Sequence, residues 1–374
     1  MGQCLCEHHA SACGMLFLEV TSRCNLRCPY CFADAGGYAD EPSLGTITRM
    51  LDLVASRQRY RPNLLLGGGE PTVRDDLGTI VRVAVQRGYK HVFVGTNGIR
   101  IAREKGYLRR LVDAGVRTLY LQFDGLDDDV YRITRGEPLL ADKLRVIEQA
   151  RLCKRVHVIL VPTVIGGVTD HQIGPIYRFA MANRDVVRAI CYQPVSFSGR
   201  TPETKRNTQR VTPDMVMTRL HEEGGPGPEA FFPNDNWASL ARATLYLTNE
   251  PQNALSQAFE CGQSALVLSS DGNRCTLQEV CDINGLLGLC DDMDDLSCHG
   301  EDRRMSTRAR ALALVARYIA GAGAGEGRRW IAALFSGRNM ETVWSALKNP
   351  LMVSILHLQD RYNFQWERTR SCPL

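Results

Sequence analysis

Six short, β-rich apolar runs recur in the first 200 residues, at 16–21, 63–67, 91–96, 117–123, 156–163 and 187–195. Between them lie stretches with helical periodicity, at 47–56, 77–87, 107–114, 140–153 and 171–183. The runs are apolar almost throughout, with little in-out alternation. That is the pattern of strands buried on both faces in a parallel sheet under helices, not of a hairpin meander. Six strand–helix units of this kind predict an α/β fold, a complete or partial (β/α)6 barrel, with chemistry in the loops that follow the strands. Polar and glycine-rich residues do gather there: Thr21 to Cys24, Gly67 to Glu70, Thr96 to Gly98, Gln122 to Gly125, Pro162 with Thr163, and Gln193 with Pro194. Any one of these is ordinary turn chemistry. All of them at one barrel face make a site.

Composition narrows the partners. A net charge of +4 on 374 residues is too small for a protein that lives by neutralising phosphates, so no nucleic-acid partner is expected. No apolar run approaches the roughly 20 residues of a membrane span. The start lacks the basic and apolar regions of a secretion signal, and Cys6 stands where an acylation signal carries Ser or Thr. A cytoplasmic location is therefore expected, and there persistent disulfides are rare. Fourteen cysteines in such a chain point to metal.

After Gly199 the character changes. A polar stretch (201–210) and a Gly/Pro-rich loop (222–228) precede a short β-like run at 265–268, an Asp271-Gly272 turn, and helical patterning at 305–320, 329–335 and 340–347. The expected division is an N-terminal cysteine-bearing segment (1–14), the partial barrel (15–200), and an α+β extension (201–374) that closes the barrel and carries further cysteines.

The sharpest motif is Cys24-Asn-Leu-Arg-Cys28-Pro-Tyr-Cys31, directly after the first strand. Three thiolates on one loop can hold three irons of a [4Fe–4S] cluster, and without a fourth cysteine at matching spacing one iron is left open. A structural zinc site is the rival, but such sites are closed and usually show paired C-x2-C arms. Cys153 and Cys191 fall within helix and strand patterns and read as core, where free cysteine is common.

This triplet, with an aromatic before its last cysteine, resembles the signature of radical S-adenosylmethionine (radical SAM) enzymes. The resemblance implies that S-adenosylmethionine chelates the open iron and that electron donation to its sulfonium yields a 5′-deoxyadenosyl radical, the cofactor carrying the hard chemistry. Cys24, Cys28 and Cys31 would be the catalytic cluster ligands. Gly68-Gly69-Glu70 resembles the superfamily's GGE motif, which contacts the methionine amino group. Asn97, Gln122, Asp124 and Thr163 stand near the ribose and carboxylate contacts, while residues 164–168 and Tyr30 would lie against the adenine.

A narrower resemblance runs further. Glu19 to Cys28 with Cys31-Phe32-Ala33, Val161-Pro162-Thr163 with Gly167 to Gly174, Tyr192 to Arg200, and Asp360-Arg361-Tyr362-Asn363-Phe364 with Cys372 are similar to the group of pterin dimethyltransferases and archaeal tetraether lipid synthases. That group implies one or two auxiliary [4Fe–4S] clusters, with Cys4, Cys6, Cys261 and Cys372 as ligands of one and Cys13, Cys275, Cys281, Cys290 and Cys298 as further candidates. It also implies carbon–carbon bond formation at an unactivated carbon, either C-methylation or chain coupling. The substrate would be a small metabolite or a lipid, with a flavodoxin- or ferredoxin-type electron donor. No cobalamin-binding segment and no methyl-accepting cysteine pair is recognisable. A basic helix bearing Arg303, Arg304, Arg308, Arg310 and Arg317 suits either peripheral contact with anionic lipid or a solvated face. Two other readings stay open: a peptide-maturing radical enzyme, whose auxiliary-cluster domain the spacing after Cys261 loosely resembles, and a non-catalytic iron–sulfur scaffold.

Overall fold

The computed structural model describes residues 14–36, 41–57, 61–233, 262–270, 273–280 and 349–364. Its spine is a parallel run of strands: β1 (Met15–Thr21), β2 (Asn63–Gly68), β3 (Val92–Thr96), β4 (Val116–Gln122), β5 (His157–Val161) and β7 (Val187–Pro194), in that spatial order. The fifth predicted strand breaks at Pro162, which has no N–H to give the ladder. Beyond it, β6 (Thr163–Val164) pairs only with β7. The six expected runs are all strands.

Helices fill the connections. These are α1 (Leu44–Arg57) after β1, α2 (Leu77–Gln86) after β2, α3 (Ile99–Arg103) and α4 (Tyr107–Ala114) after β3, α5 (Asp128–Arg135) and α6 (Leu140–Cys153) after β4, and α7 (Ile173–Ala182) after β6. Their apolar stripes explain their seating. In α2, Leu77, Ile80, Val81 and Ala84 recur at three- and four-residue intervals and are all buried. One apolar cluster runs from these helix faces through the strands.

The extension behaves differently from expectation. Past β7 come α8 (Arg206–Gln209), α9 (Pro213–Glu222) and β8 (Phe232–Pro233). Helix α9 carries signals that are readable in the chain: Thr212 caps its N-terminus by accepting from the Met215 N–H, and Pro213 opens its first turn. The β-like run at 265–268 lies inside β9 (Gly262–Ser270), which pairs antiparallel with β10 (Asn273–Thr276). The strand β11 (Leu351–Leu356) inserts between β7 and β9, parallel to the first and antiparallel to the second. Its Leu351, Val353 and Ile355 are fully buried and alternate with half-buried residues, a period-two pattern that the search for helices passed over.

The extension was expected to close the barrel. Among the described residues it instead lengthens the sheet beyond β7, while β1 pairs only with β2. With β11 occupying the outer edge of β7, that edge is not free to meet β1. The expected helices at 305–320, 329–335 and 340–347 and the Asp271-Gly272 turn lie outside the described residues.

Because β11 shares hydrogen bonds with β7, extension and barrel should unfold together. Truncating the buried Ile355 to alanine is expected to cost about 2–5 kcal/mol and to shift the whole urea transition. A variant with a second, early transition and an unmoved main one would show that the two parts fold independently.

Candidate active site

Strand β1 runs out at Thr21 into a loop bearing the three cysteines. Cys28 is buried and Cys24 and Cys31 are half-buried, and none is in a disulfide. All three pack on one apolar patch of Leu26, Ile99, Tyr131, Leu139 and Leu140. Burial pushes the Cys24 thiol up to about 11, and the neighbouring Glu70, Cys28 and Cys31 charges add to it. Metal binding would stabilise the thiolate forms gathered here, since a thiol must lose its proton to ligate. Among the described residues no group of three His, Cys, Asp or Glu side chains is arranged to hold a metal ion.

The loop is clasped from both sides by backbone. On one side Gly69 N donates to Thr21 O at 2.7 Å and Glu70 N to Arg23 O at 2.8 Å. This approach demands glycine: a Cβ on Gly69 would sit 2.1 Å from Arg23 O, and Gly68 holds a φ of +117° with its Cβ position 2.2 Å from Thr21 O. On the other side Arg200 N donates to Cys31 O at 2.9 Å. The Arg200 side chain reaches Cys28 O at 3.1 Å and Ala35 O at 2.7 Å.

Beneath the loop lies a buried polar network. Glu70 is 2% exposed. Its Oε1 accepts from Thr72 N, Thr72 Oγ1 and Thr96 Oγ1 at 3.2, 2.5 and 2.7 Å, whereas among the described residues Oε2 accepts only Asn97 N, at 2.6 Å. Burial raises its pKa, partly offset by those hydrogen bonds. Oε2 thus keeps room for another donor, such as an ammonium. Asn97 also donates through Nδ2 to Asn25 of the cysteine loop at 2.7 Å.

Asp124 is different. It is fully buried and accepts from Gln122 Nε2, Thr134 Oγ1, Thr163 N and both edges of Arg135, whose Nε and Nη2 stand 2.5 and 2.8 Å away. Burial pushes its carboxyl up, but Arg135 and the other donors win and hold it below the usual range. With its lone pairs filled, Asp124 anchors Arg135 rather than offering itself to a ligand. Arg135 in turn donates to Thr163 Oγ1 at 2.9 Å and interacts with Cys28. Tyr30, buried, packs with Ile165, Val195 and Phe197 beside Val168, and its hydroxyl donates to Gln209 at 3.1 Å.

Two cations of this site, Arg135 and Lys143, escaped the sequence reading. Lys143 is wholly buried; its Nζ donates to Asn97 O at 2.5 Å and Gln122 Oε1 at 2.8 Å, and lies 5.6 Å from the Tyr131 ring centroid. A signal existed: Lys143 shares a helical face with Val146, Ile147 and Ala150, the buried side of α6. The structure thus joins Cys24, Cys28, Cys31, Gly68, Gly69, Glu70, Asn97, Gln122, Asp124 and Thr163 at one end of the sheet, with Tyr30 against the adjoining apolar cluster. Cys191, buried on β7, accepts from Tyr120 at 3.1 Å, and Cys153 packs against the main core. Cys275 is half-buried on β10 opposite Leu268. Cys4, Cys6, Cys13, Cys261, Cys281, Cys290, Cys298 and Cys372, and the basic stretch from Arg303 to Arg317, lie outside the described residues.

Two outcomes follow from this geometry. Gly69→Ala should force the cysteine loop off the GGE strand end, and reconstituted iron should fall to less than about half that of wild type; unchanged iron with normal folding would refute the clasp. Burial brings the Lys143 ammonium down to about 7, against the pull of Asp124. In the unfolded chain a lysine titrates near ~10.4. Between these limits the unfolded state carries the extra proton, so this group makes stability rise with pH from about 7 to about 10. Comparing cluster-free wild type with Lys143→Met, the difference in unfolding free energy should move toward the wild type over that interval. A pH-independent difference would show that Lys143 stays charged.

Residues 18–180 match the family model of the radical SAM superfamily. The chain is 35% identical to the 7,8-dihydro-6-hydroxymethylpterin dimethyltransferase of Methanocaldococcus jannaschii, covering 98% of this chain and 74% of that protein. It is 26% identical to the GTP 3′,8-cyclase of Tolumonas auensis, covering 70% and 72% of the two chains. Among solved structures, Streptococcus suis SuiB bound to the precursor peptide SuiA aligns with 57% of this chain and 45% of its own, at 18% identity and a TM-score of 0.45. No described helix is long and apolar enough to cross a membrane. The match to the dimethyltransferase over nearly all of this chain and the cysteine loop seated on its glycine–glutamate strand end lead to one family: the chain belongs to the radical SAM superfamily.

Proposed function

We propose that this radical SAM enzyme C-methylates an unactivated carbon of a small, pterin-like metabolite. Superfamily membership implies a [4Fe–4S] cluster and S-adenosylmethionine, and the likeness to a dimethyltransferase supports methyl transfer as the reaction type. The observation that carries the reading is the joining of Cys24, Cys28 and Cys31 to Glu70 through one buried, backbone-locked network.

The three cysteine thiolates would hold the cluster. When bound, cluster and S-adenosylmethionine together supply hydrogen-atom abstraction by a 5′-deoxyadenosyl radical. Glu70 Oε2, with one donor and room for another, would receive the methionine ammonium. Gln122 and Asn97, fixed by Lys143, have both side-chain polar atoms engaged and would offer ribose or carboxylate the second N–H of each amide. Asp124 sets the angle of Arg135. Tyr30, Ile165 and Val168 form the apolar surface that would cover the adenine and keep water from a reactive radical. We assign residues 15–200 to the catalytic barrel, and 1–14 and 201–374 to segments supplying auxiliary iron–sulfur ligands, with Cys4, Cys6, Cys261 and Cys372 as the set the family likeness favours. A small electron-transfer protein of the flavodoxin or ferredoxin type would deliver the reducing electron.

Cys28→Ala should abolish 5′-deoxyadenosine formation by the anaerobically reconstituted, reduced enzyme while leaving the fold intact by circular dichroism. Cleavage retained in that variant would sink the assignment. In the same preparations, alanine at all three of Cys24, Cys28 and Cys31 should leave about four irons per remaining auxiliary cubane. Near-zero iron would remove the auxiliary clusters from the reading.

A further inference from the structure

Where the extension meets the barrel mouth, an open cavity of about 540 Å³ is lined by Arg206, Asn207, Arg210 and Tyr362. Its volume lies within the roughly 300–1,000 Å³ of small-molecule sites. It adjoins the candidate active site by direct contacts. Gln209, between the two arginines on α8 and the next residue, holds the Tyr30 hydroxyl of the cysteine loop at 3.1 Å and accepts Gly166 N at 3.0 Å through its carbonyl. The Arg210 guanidinium lies 5.0 Å over the ring of Phe197, which packs with Tyr30.

The charges at this mouth do not balance. Asp360 is buried and bound by Arg210 Nη2 at 2.9 Å, and its carboxylate also accepts from Phe197 N and Tyr362 N, each at 2.9 Å. Glu203 is engaged by Arg361 and by the Tyr362 hydroxyl at 2.8 Å. Two carboxylates are thus spent on two arginines. Arg206 has no carboxylate partner among the described residues; its guanidinium carbon lies 3.9 Å from the Tyr362 ring centroid. A cation–π contact of this kind holds a guanidinium without using its N–H groups, which are left for an oxyanion. Arg210 uses a single terminal nitrogen on Asp360, and Asn207 adds an exposed amide.

We propose that this cavity binds a phosphate-type oxyanion carried by the substrate, with Arg206 as its principal contact and Arg210 and Asn207 beside it. The inference rests on the C-methylation reading only in calling the ligand a substrate. Phosphate fits better than carboxylate because its several oxygens can engage two guanidinium edges and an amide at once. A molecule anchored there lies beside Phe197, which packs with Tyr30 of the candidate active site. The same chemistry would serve a soluble phosphate ester or the headgroup of a lipid.

Cluster-loaded, full-length wild type, Arg206→Met and Arg206→Lys are to be titrated calorimetrically with pyrophosphate, and sedimented with phosphatidylglycerol and phosphatidylcholine vesicles. Wild type should bind pyrophosphate at one site, Arg206→Met at least about tenfold more weakly, and Arg206→Lys in between. Pyrophosphate binding without vesicle association assigns the site to a soluble ester. Association with phosphatidylglycerol alone, lost in Arg206→Met, assigns it to a headgroup. If neither probe binds wild type, or if Arg206→Met binds as wild type does, the proposal falls. 5′-Deoxyadenosine formation by wild type separates the two readings: its absence with Arg206-dependent anion binding intact overturns the enzyme assignment and leaves the anion site standing.

Discussion

Five hydrogen bonds converge on Asp124, two of them from Arg135, in a place water does not reach. Taking both charges out of water costs several kcal/mol per ion, and Coulomb attraction repays this only when geometry is good and the remaining lone pairs are filled. Here they are filled. The pair therefore acts as a rigid fixture tying the ends of β4, α5 and β6 together. From it the order spreads: Arg135 reaches Thr163 and Cys28, Gln122 is turned by Asp124 and by Lys143, and Lys143 fixes the carbonyl of Asn97. Asn97 in turn bonds Glu70 and the cysteine loop. A site that must position a reactive group gains from supports that are locked before any ligand arrives.

The cysteine loop itself is held mostly by main-chain atoms, and this fits its task. Side chains on this loop are already committed to the apolar patch behind it, the three cysteines among them. Backbone bonds from Gly69 and Glu70 on one flank, and from Arg200 on the other, fix its path without using those side chains. The cost falls on residue choice. Gly67, Gly68 and Gly69 in a row leave no Cβ where β2 meets Phe17, Thr21 and Arg23. Gly199, at φ +58°, does the same against Cys31 and Phe32. A glutamate directly after the glycines is then carried into the buried network by the strand that bears it.

Much of this was legible in the chain. Continuous apolar runs gave the parallel strands because burial on both faces leaves no alternation to confuse with a hairpin. The cysteine triplet and GGE stretch gave the site because both sit at strand ends, where a parallel sheet collects its loops. What was missed has physical causes. Lys143 and Arg135 look like surface residues when each is read alone; only the tertiary enclosure by Tyr131, Asp124 and Asn97 makes them interior. The roles of Asp124 and Gln122 could not be told apart by position, since the difference lies in how many donors reach each. Strand β11 is short, comes after a long helical-looking stretch, and finds its partner β7 more than 150 positions away, so no local pattern names its neighbour.

The extension contributes more than extra sheet. By lying parallel to β7, β11 delivers the turn after it to the same end of the sheet as the cysteine loop. There Asp360 caps the chain at Phe197 and holds Arg210, so Phe197 is fixed on one side by Asp360 and on the other by its packing with Tyr30. Tyr362, two residues on, supplies the ring against which the Arg206 guanidinium lies. Phe197, Arg210 and Arg206 are therefore braced by residues of the 360–362 turn. Among the described residues the lengthened sheet leaves β1 paired with β2 alone and sets Arg206 and Arg210 against the turn that follows β11.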